Sequence, residues 1–142
     1  MAQYIRAGED CFIGPQPALS DLKEAGRDGV RTVIDFRIPN EIGHLNSELA
    51  RDAGLAYVNL PVDRDALSRA SVEQLEQALH QHPGPYLLHC ATGARAALML
   101  VLVRARQHGW SAQRTFDEAK AMGFPLHGSE AFARFVRENT AA

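Results

Sequence analysis

The sequence predicts an α/β three-layer sandwich, a small and largely parallel sheet flanked by helices. Three observations predict it. Short apolar runs alternate with stripes of helical period through the middle of the chain. The two kinds of segment follow one another as strand, helix, strand, so the connections are crossovers and neighbouring strands run parallel. The most apolar helical segment, Ala94 to Gln107, follows directly on a short apolar run, and a helix of that composition is enclosed on most of its circumference.

The elements follow in order. A first short strand is expected around Cys11 to Ile13, ended by the Gly14-Pro15-Gln16-Pro17 turn. Pro17 to Arg27 carries Leu19, Leu22 and Ala25 on one helical face and stops at Gly29. Val30 to Phe36 is a β-branched run that suits a buried strand. Asn46 to Ala53 is a second helix stopped by Gly54, and Leu55 to Leu60 a strand closed by Pro61. Ser71 with Gln74 three residues on predicts a capped helix start, with Val72, Leu75, Ala78 and Leu79 turned inward. Pro83-Gly84-Pro85 breaks that helix, and Tyr86 to His89 is a central strand. After the apolar helix, Ser111 to Ala121 and Ser129 to Glu138 are amphipathic helices.

At 142 residues and 15.6 kDa the chain is sized for one domain spanning residues 1–142. A chain of this length buries roughly two thirds of its unfolded surface, enough to fold without disulfides or metal. The net charge of −2 makes no field that would collect nucleic acid or anionic lipid. No apolar run approaches the roughly 18 residues of a membrane span, and Met1 to Asp10 lacks the pattern of a signal peptide. Two cysteines, Cys11 and Cys90, fit a reducing compartment, so a cytoplasmic location is expected. Oligomeric state is left open.

One segment carries the chemistry: His89-Cys90-Ala91-Thr92-Gly93-Ala94-Arg95, where a buried strand ends and a buried helix begins. Ligands bind at the carboxyl ends of strands in such sheets, and the helix N-terminus offers unpaired N–H groups. A cysteine there meets the positive end of the helix dipole, which favours its thiolate. Small residues at 91, 93 and 94 let the backbone wrap into a nest of amides, and the Arg95 fork matches two oxygens of a tetrahedral oxyanion. Nucleophile, nest and guanidinium together suit covalent phosphoryl or sulfur transfer. A cysteine merely buried in the core, with a surface arginine, is the plainer alternative.

The chain resembles the bacterial phosphatase-like family related to the N-terminal domain of beta-lactamase-hydrolase-like proteins, a relative of the dual-specificity tyrosine phosphatases. The resemblance runs from about Gly14 to Leu102. It rests on Gly14-Pro15-Gln16-Pro17, on Arg31-Thr32-Val33-Ile34-Asp35-Phe36-Arg37 with Pro39 and Glu41, on Gly54-Leu55-Ala56-Tyr57, on Leu60-Pro61-Val62 and on the His89 to Ala96 loop. It implies a cysteine phosphatase with Cys90 as nucleophile and Arg95 with the amides of Ala91, Thr92, Gly93 and Ala94 as the phosphate cradle. A general acid is implied in the loop after the strand ending at Pro61, where Asp63 is favoured over Asp65. A phosphorylated protein or small molecule would be the substrate, with no metal and no organic cofactor.

Two departures keep other readings open. Tyrosine and dual-specificity phosphatases place five residues between Cys and Arg; this chain, like the family it resembles, has four, the loop length of rhodanese sulfurtransferases. Ala96 also stands where a hydroxyl usually follows the arginine, and Thr92 is the nearby hydroxyl that could replace it. A rhodanese-like sulfurtransferase with a Cys90 persulfide, or a non-catalytic oxyanion-binding module, are therefore the alternatives. Among the remaining residues, Arg37 is expected to pair with Glu41, His89 to order the loop, and Cys11 to be a buried strand residue rather than a resolving thiol. His44, His80, His82, His108 and His127 show no metal-ligand spacing. Neither stretch expected to flank the cradle, Pro39 to Leu45 or Asp63 to Ser68, offers an aromatic wall.

Overall fold

The computed structural model describes residues 3–42 and 46–140. Its centre is a five-stranded sheet of β1 (Ile5–Arg6), β2 (Cys11–Gly14), β3 (Thr32–Asp35), β4 (Ala56–Asn59) and β5 (Tyr86–His89), in the order β1-β2-β5-β3-β4. All neighbours pair parallel except β1, which lies antiparallel on β2 as an edge strand. β5 occupies the middle, flanked by Ile13 and Gly14 on one side and Ile34 and Asp35 on the other, all four of its residues buried. That place explains its sequence, since a parallel strand covered on both faces has no solvent side to mark with polar residues.

Helices cover both faces. On one, α1 (Leu19–Arg27) and α2 (Asn46–Asp52) bury Leu22, Ala25 and Ala50 against Val33 and Leu87. On the other, α3 (Arg69–Gln81), α4 (Ala94–His108), α5 (Ala112–Ala121) and α6 (Glu130–Glu138) close over Ile13, Ile34 and Leu88. The three expected layers are present. α4 is the hub: Ala96 to Val103 are all buried, because the sheet lies on one side and α3, α5 and α6 surround the rest.

Differences from the sequence reading are local. The α3 start is Ser68, not Ser71: the Ser68 hydroxyl accepts the Ala70 amide, and the helix runs from Arg69. The Ser111 and Ser129 hydroxyls cap α5 and α6, accepting the amides of Arg114 and Phe132. α1 begins two residues after Pro17, its first turn held by the Asp21 carboxylate reaching back to the Ala18 amide. β1 has no counterpart in the reading, because two exposed residues carry no periodicity to detect.

Among the described residues, no helix is long and apolar enough to cross a membrane.

Candidate active site

The His89–Arg95 segment takes the expected place, at the carboxyl end of β5 and the N-terminus of α4. Cys90 is 1% exposed, and its Sγ accepts the Gly93 amide at 3.0 Å. That bond requires the chain to fold back over the sulfur within three residues, and Gly93 does so at φ +106°, a region that excludes side chains sterically. A Cβ at Gly93 would lie 2.8 Å from the ring tip of Phe124 and 3.3 Å from the carbonyl carbon of Gly14. The loop is thus wedged between the turn after β2 and the α5–α6 connection. The Ala91 carbonyl accepts the Gln16 amide at 3.3 Å, which ties it to the same turn. Among the described residues no acceptor takes the amides of Ala91 and Thr92, which remain available to an anion. The Thr92 hydroxyl meets the Ala94 amide at 3.5 Å, so it leans to the helix start rather than to the sulfur.

Arg95 is held by a residue 54 positions away. Its Nη1 and Nη2 donate to Glu41 Oε2 and Oε1 at 2.8 and 2.7 Å, and Nη1 also donates to the Val62 carbonyl at 3.1 Å. Glu41 is itself fixed, since Oε2 accepts the Ile38 amide at 2.8 Å across the 3₁₀ turn Pro39–Glu41. A guanidinium has five N–H donors in one plane. The carboxylate takes the edge between the two terminal nitrogens, and Val62 takes the outer hydrogen of Nη1. Among the described residues no oxygen acceptor takes the parallel pair on the other edge, Nε–H and the second Nη2–H. Two parallel donors are what two oxygens of a phosphate or sulfate need. The Glu41 pair, with the nearby Cys90 sulfur, keeps Arg95 protonated more firmly than an ordinary arginine, and Arg95 in turn holds the Glu41 carboxyl below its usual range.

The expected Arg37–Glu41 pair does not form. Arg37 turns instead to Asp35, with Nε at 3.0 Å from Oδ1 and Nη2 at 2.8 Å from Oδ2, both side chains buried. A guanidinium that is 1% exposed needs a partner at hand, and Asp35 lies two residues away on the same face. Tyr57 donates its hydroxyl to Asp35 at 2.6 Å, and Asn59 donates to the carbonyls of Asp35 and Arg37. Burial pushes the Asp35 carboxyl up, but Arg37, His89 and Tyr57 outweigh it and hold it below the usual carboxylate range. This cluster lies on the α1–α2 face, behind the sheet as seen from Cys90. His89 joins it, with Nδ1 3.8 Å from Asp35 and 3.4 Å from the Cys90 carbonyl. Burial pushes the imidazole down to about 4, so it is neutral at pH 7. Its Nε2 is buried with no hydrogen-bond partner among the described residues.

In front of the loop lies a pocket of about 330 Å³, lined by Ala91, Thr92, Ala94 and Arg95, by Ile38 and Glu41, by Asp63, Arg64 and Asp65, and by Phe132. Asp63 and Asp65, in the loop after β4, both line this pocket. Asp63 Oδ1 accepts the Asp65 amide at 2.9 Å, which makes it the acceptor of its own turn. The aromatic residue absent from the flanking segments is present in space: Phe132 arrives from α6. A larger depression of about 440 Å³ opens at the far end of α4, but no cysteine lines it and its Arg106 is already shared between Glu73 and Glu76.

Cys11 is excluded as a resolving thiol. It pairs in register with Tyr86, four residues before Cys90. The two are thus offset by roughly 13 Å along the strands, against the roughly 7 Å that a disulfide tolerates between α-carbons. Burial pushes its thiol up to about 12. Among the described residues no cluster could hold a metal ion; His44 lies outside them.

Residues 5–107 match the family described as beta-lactamase hydrolase-like protein, phosphatase-like domain. The chain belongs to that family. It is 32% identical over 131 residues to a beta-lactamase hydrolase-like protein of Xylella fastidiosa (strain Temecula1), covering 89% of this chain and 29% of that protein. The chain therefore spans less than a third of the relatives' own length. Among solved structures it is similar to a candidate phosphatase of Neisseria meningitidis Z2491, with a TM-score of 0.81, 25% identity and coverage of 98% and 99%. It is also similar in fold to the core catalytic domain of the PP-IP phosphatase SIW14 of S. cerevisiae, with a TM-score of 0.76, 16% identity and coverage of 96% and 85%. The family is one of phosphatase-like domains, and the fold is that of solved phosphatases.

Proposed function

We propose that this phosphatase-family domain hydrolyses phosphate monoesters through a phosphocysteine. Cys90 Sγ attacks phosphorus in line, and the bond from phosphorus to the leaving oxygen breaks as that oxygen takes a proton from Asp63 or Asp65. Water then attacks phosphorus, the P–S bond breaks, and inorganic phosphate leaves. The amides from Ala91 to Arg95 and the open edge of Arg95 hold the equatorial oxygens. No metal or organic cofactor enters this reaction. The observation that carries the reading is the Arg95 guanidinium, gripped end-on by Glu41 and turned to the Cys90 sulfur, because an inert core cysteine needs no such neighbour. Cytoplasmic location, a phosphorylated protein or small molecule as partner, and one domain over residues 1–142 belong to the same proposal.

Ala96, fully buried at the position after Arg95, favours the sulfurtransferase reading, since no hydroxyl stands there to assist departure of the thiolate. One experiment separates the two. Hydrolysis of phenyl phosphate is measured between pH 5 and 8 for the wild-type protein and Cys90→Ser; turnover that the substitution abolishes is expected. Absence of turnover in both, with a 32 Da gain on Cys90 after thiosulfate that cyanide reverses, would establish the persulfide chemistry instead.

A further inference from the structure

The pocket holds two guanidiniums, and only one of them is accounted for by the reaction. Arg95 belongs to the cradle and its charge is met by Glu41. Arg64 stands across the pocket, exposed, in the loop after β4. Asp63 and Asp65 flank it in sequence, yet among the described residues it makes no ion pair, and Asp63 is engaged with the Asp65 amide. Its position comes from below: the guanidinium lies over the face of Phe132, 5.1 Å from the ring centre. Phe132 is 3% exposed and packed in the main core on α6, so the platform is rigid.

A guanidinium stacked on a ring keeps its donors, because they point outward in its own plane. The stack also covers the ring, so the pocket wall that a leaving group meets is a cation and not an open aromatic face. The cradle already supplies donors for the scissile phosphate. We infer that Arg64 is a specificity-determining residue that reads a second anionic group, a carboxylate or a phosphate, carried on the leaving group of the substrate. The inference rests on the phosphatase reading and narrows its substrate class. Whichever of Asp63 and Asp65 does not supply the proton repels further negative charge on the same rim, which limits the preferred leaving group to one such anion.

The test compares phenyl phosphate, 4-carboxyphenyl phosphate and 1,4-phenylene bisphosphate as substrates of wild type, Arg64→Met and Arg64→Lys. Taking the variant-to-wild-type ratio of kcat/KM on each substrate removes the intrinsic reactivity of the leaving groups. Methionine keeps apolar contact with Phe132 and removes the charge. Arg64→Met is expected to lose roughly 10-fold more kcat/KM on an anion-bearing substrate than on phenyl phosphate. Arg64→Lys restores part of that difference, and added salt shrinks the wild-type preference. The carboxylate and phosphate arms show which anion is read. An equal fractional change on all three substrates overturns the role of Arg64 while leaving phosphatase chemistry intact. A wild-type protein that turns over none of them overturns the phosphatase reading, and this inference with it.

Discussion

Glu41 decides how Arg95 can be used. By taking the end-on edge of the guanidinium it leaves the side-on edge for a ligand, and its own bond to the Ile38 amide fixes where that edge points. The sequence could not show this, because the partners are 54 residues apart and Arg37 offered a nearer mate for the carboxylate. What drew Arg37 away is a partner two residues off, Asp35, in a buried place that the parallel pairing of strands creates. At the same scale the two candidate acids can be told apart. Asparagine at 63 keeps the oxygen that accepts the Asp65 amide, so Asp63→Asn removes a proton donor and spares the turn. If Asp63 is the acid, Asp63→Asn lowers kcat on phenyl phosphate roughly 100-fold and far less on a substrate whose leaving group needs no protonation. Asp65→Asn shows the same pattern instead if Asp65 fills the role.

Among elements, the strand–loop–helix unit from Tyr86 to His108 was the most legible part of the sequence. A short apolar run, a loop of small residues and a long apolar helix can be arranged in few ways, and the strand boundaries agree to the residue. The edges were less legible. β1 is too short for a pattern, and the α3 start expected at Ser71 lies three residues earlier, at Ser68. Nor did the sequence show that the loop is braced from outside, by Phe124 on one side and the Gly14 turn on the other. That brace makes Gly93 sensitive. Gly93→Ala places a side chain at φ +106° and against the Phe124 ring, so it should cost about 1–3 kcal/mol. The measurement is the urea midpoint at constant m-value, and activity should fall further than stability because the Gly93 amide is the donor to Cys90.

At the scale of the whole molecule, acid sensitivity has a named source. His89 has a value of about 4 in the folded protein and an ordinary value of 6.5 when unfolded. Between those pH values only the unfolded chain takes up the proton, so stability is complete above about pH 6.5 and falls as pH drops towards 4. The loss from this group amounts to about 3 kcal/mol. Replacing His89 by glutamine removes that dependence, so the stability gap between wild type and variant, followed by urea unfolding from pH 7.5 to 4, should move in the variant's favour on acidification. A gap that stays constant over the range would show that His89 takes up its proton as readily in the folded chain as in the unfolded one, against what its burial requires.

The family match ends at residue 107, whereas Phe124 and Phe132 come after it. The rings that brace the Cys90 loop and line its pocket thus come from the chain beyond the matched residues. A substitution at Phe132 would therefore change the wall of the pocket without altering the His89–Arg95 segment, whereas one at Phe124 would loosen the loop itself.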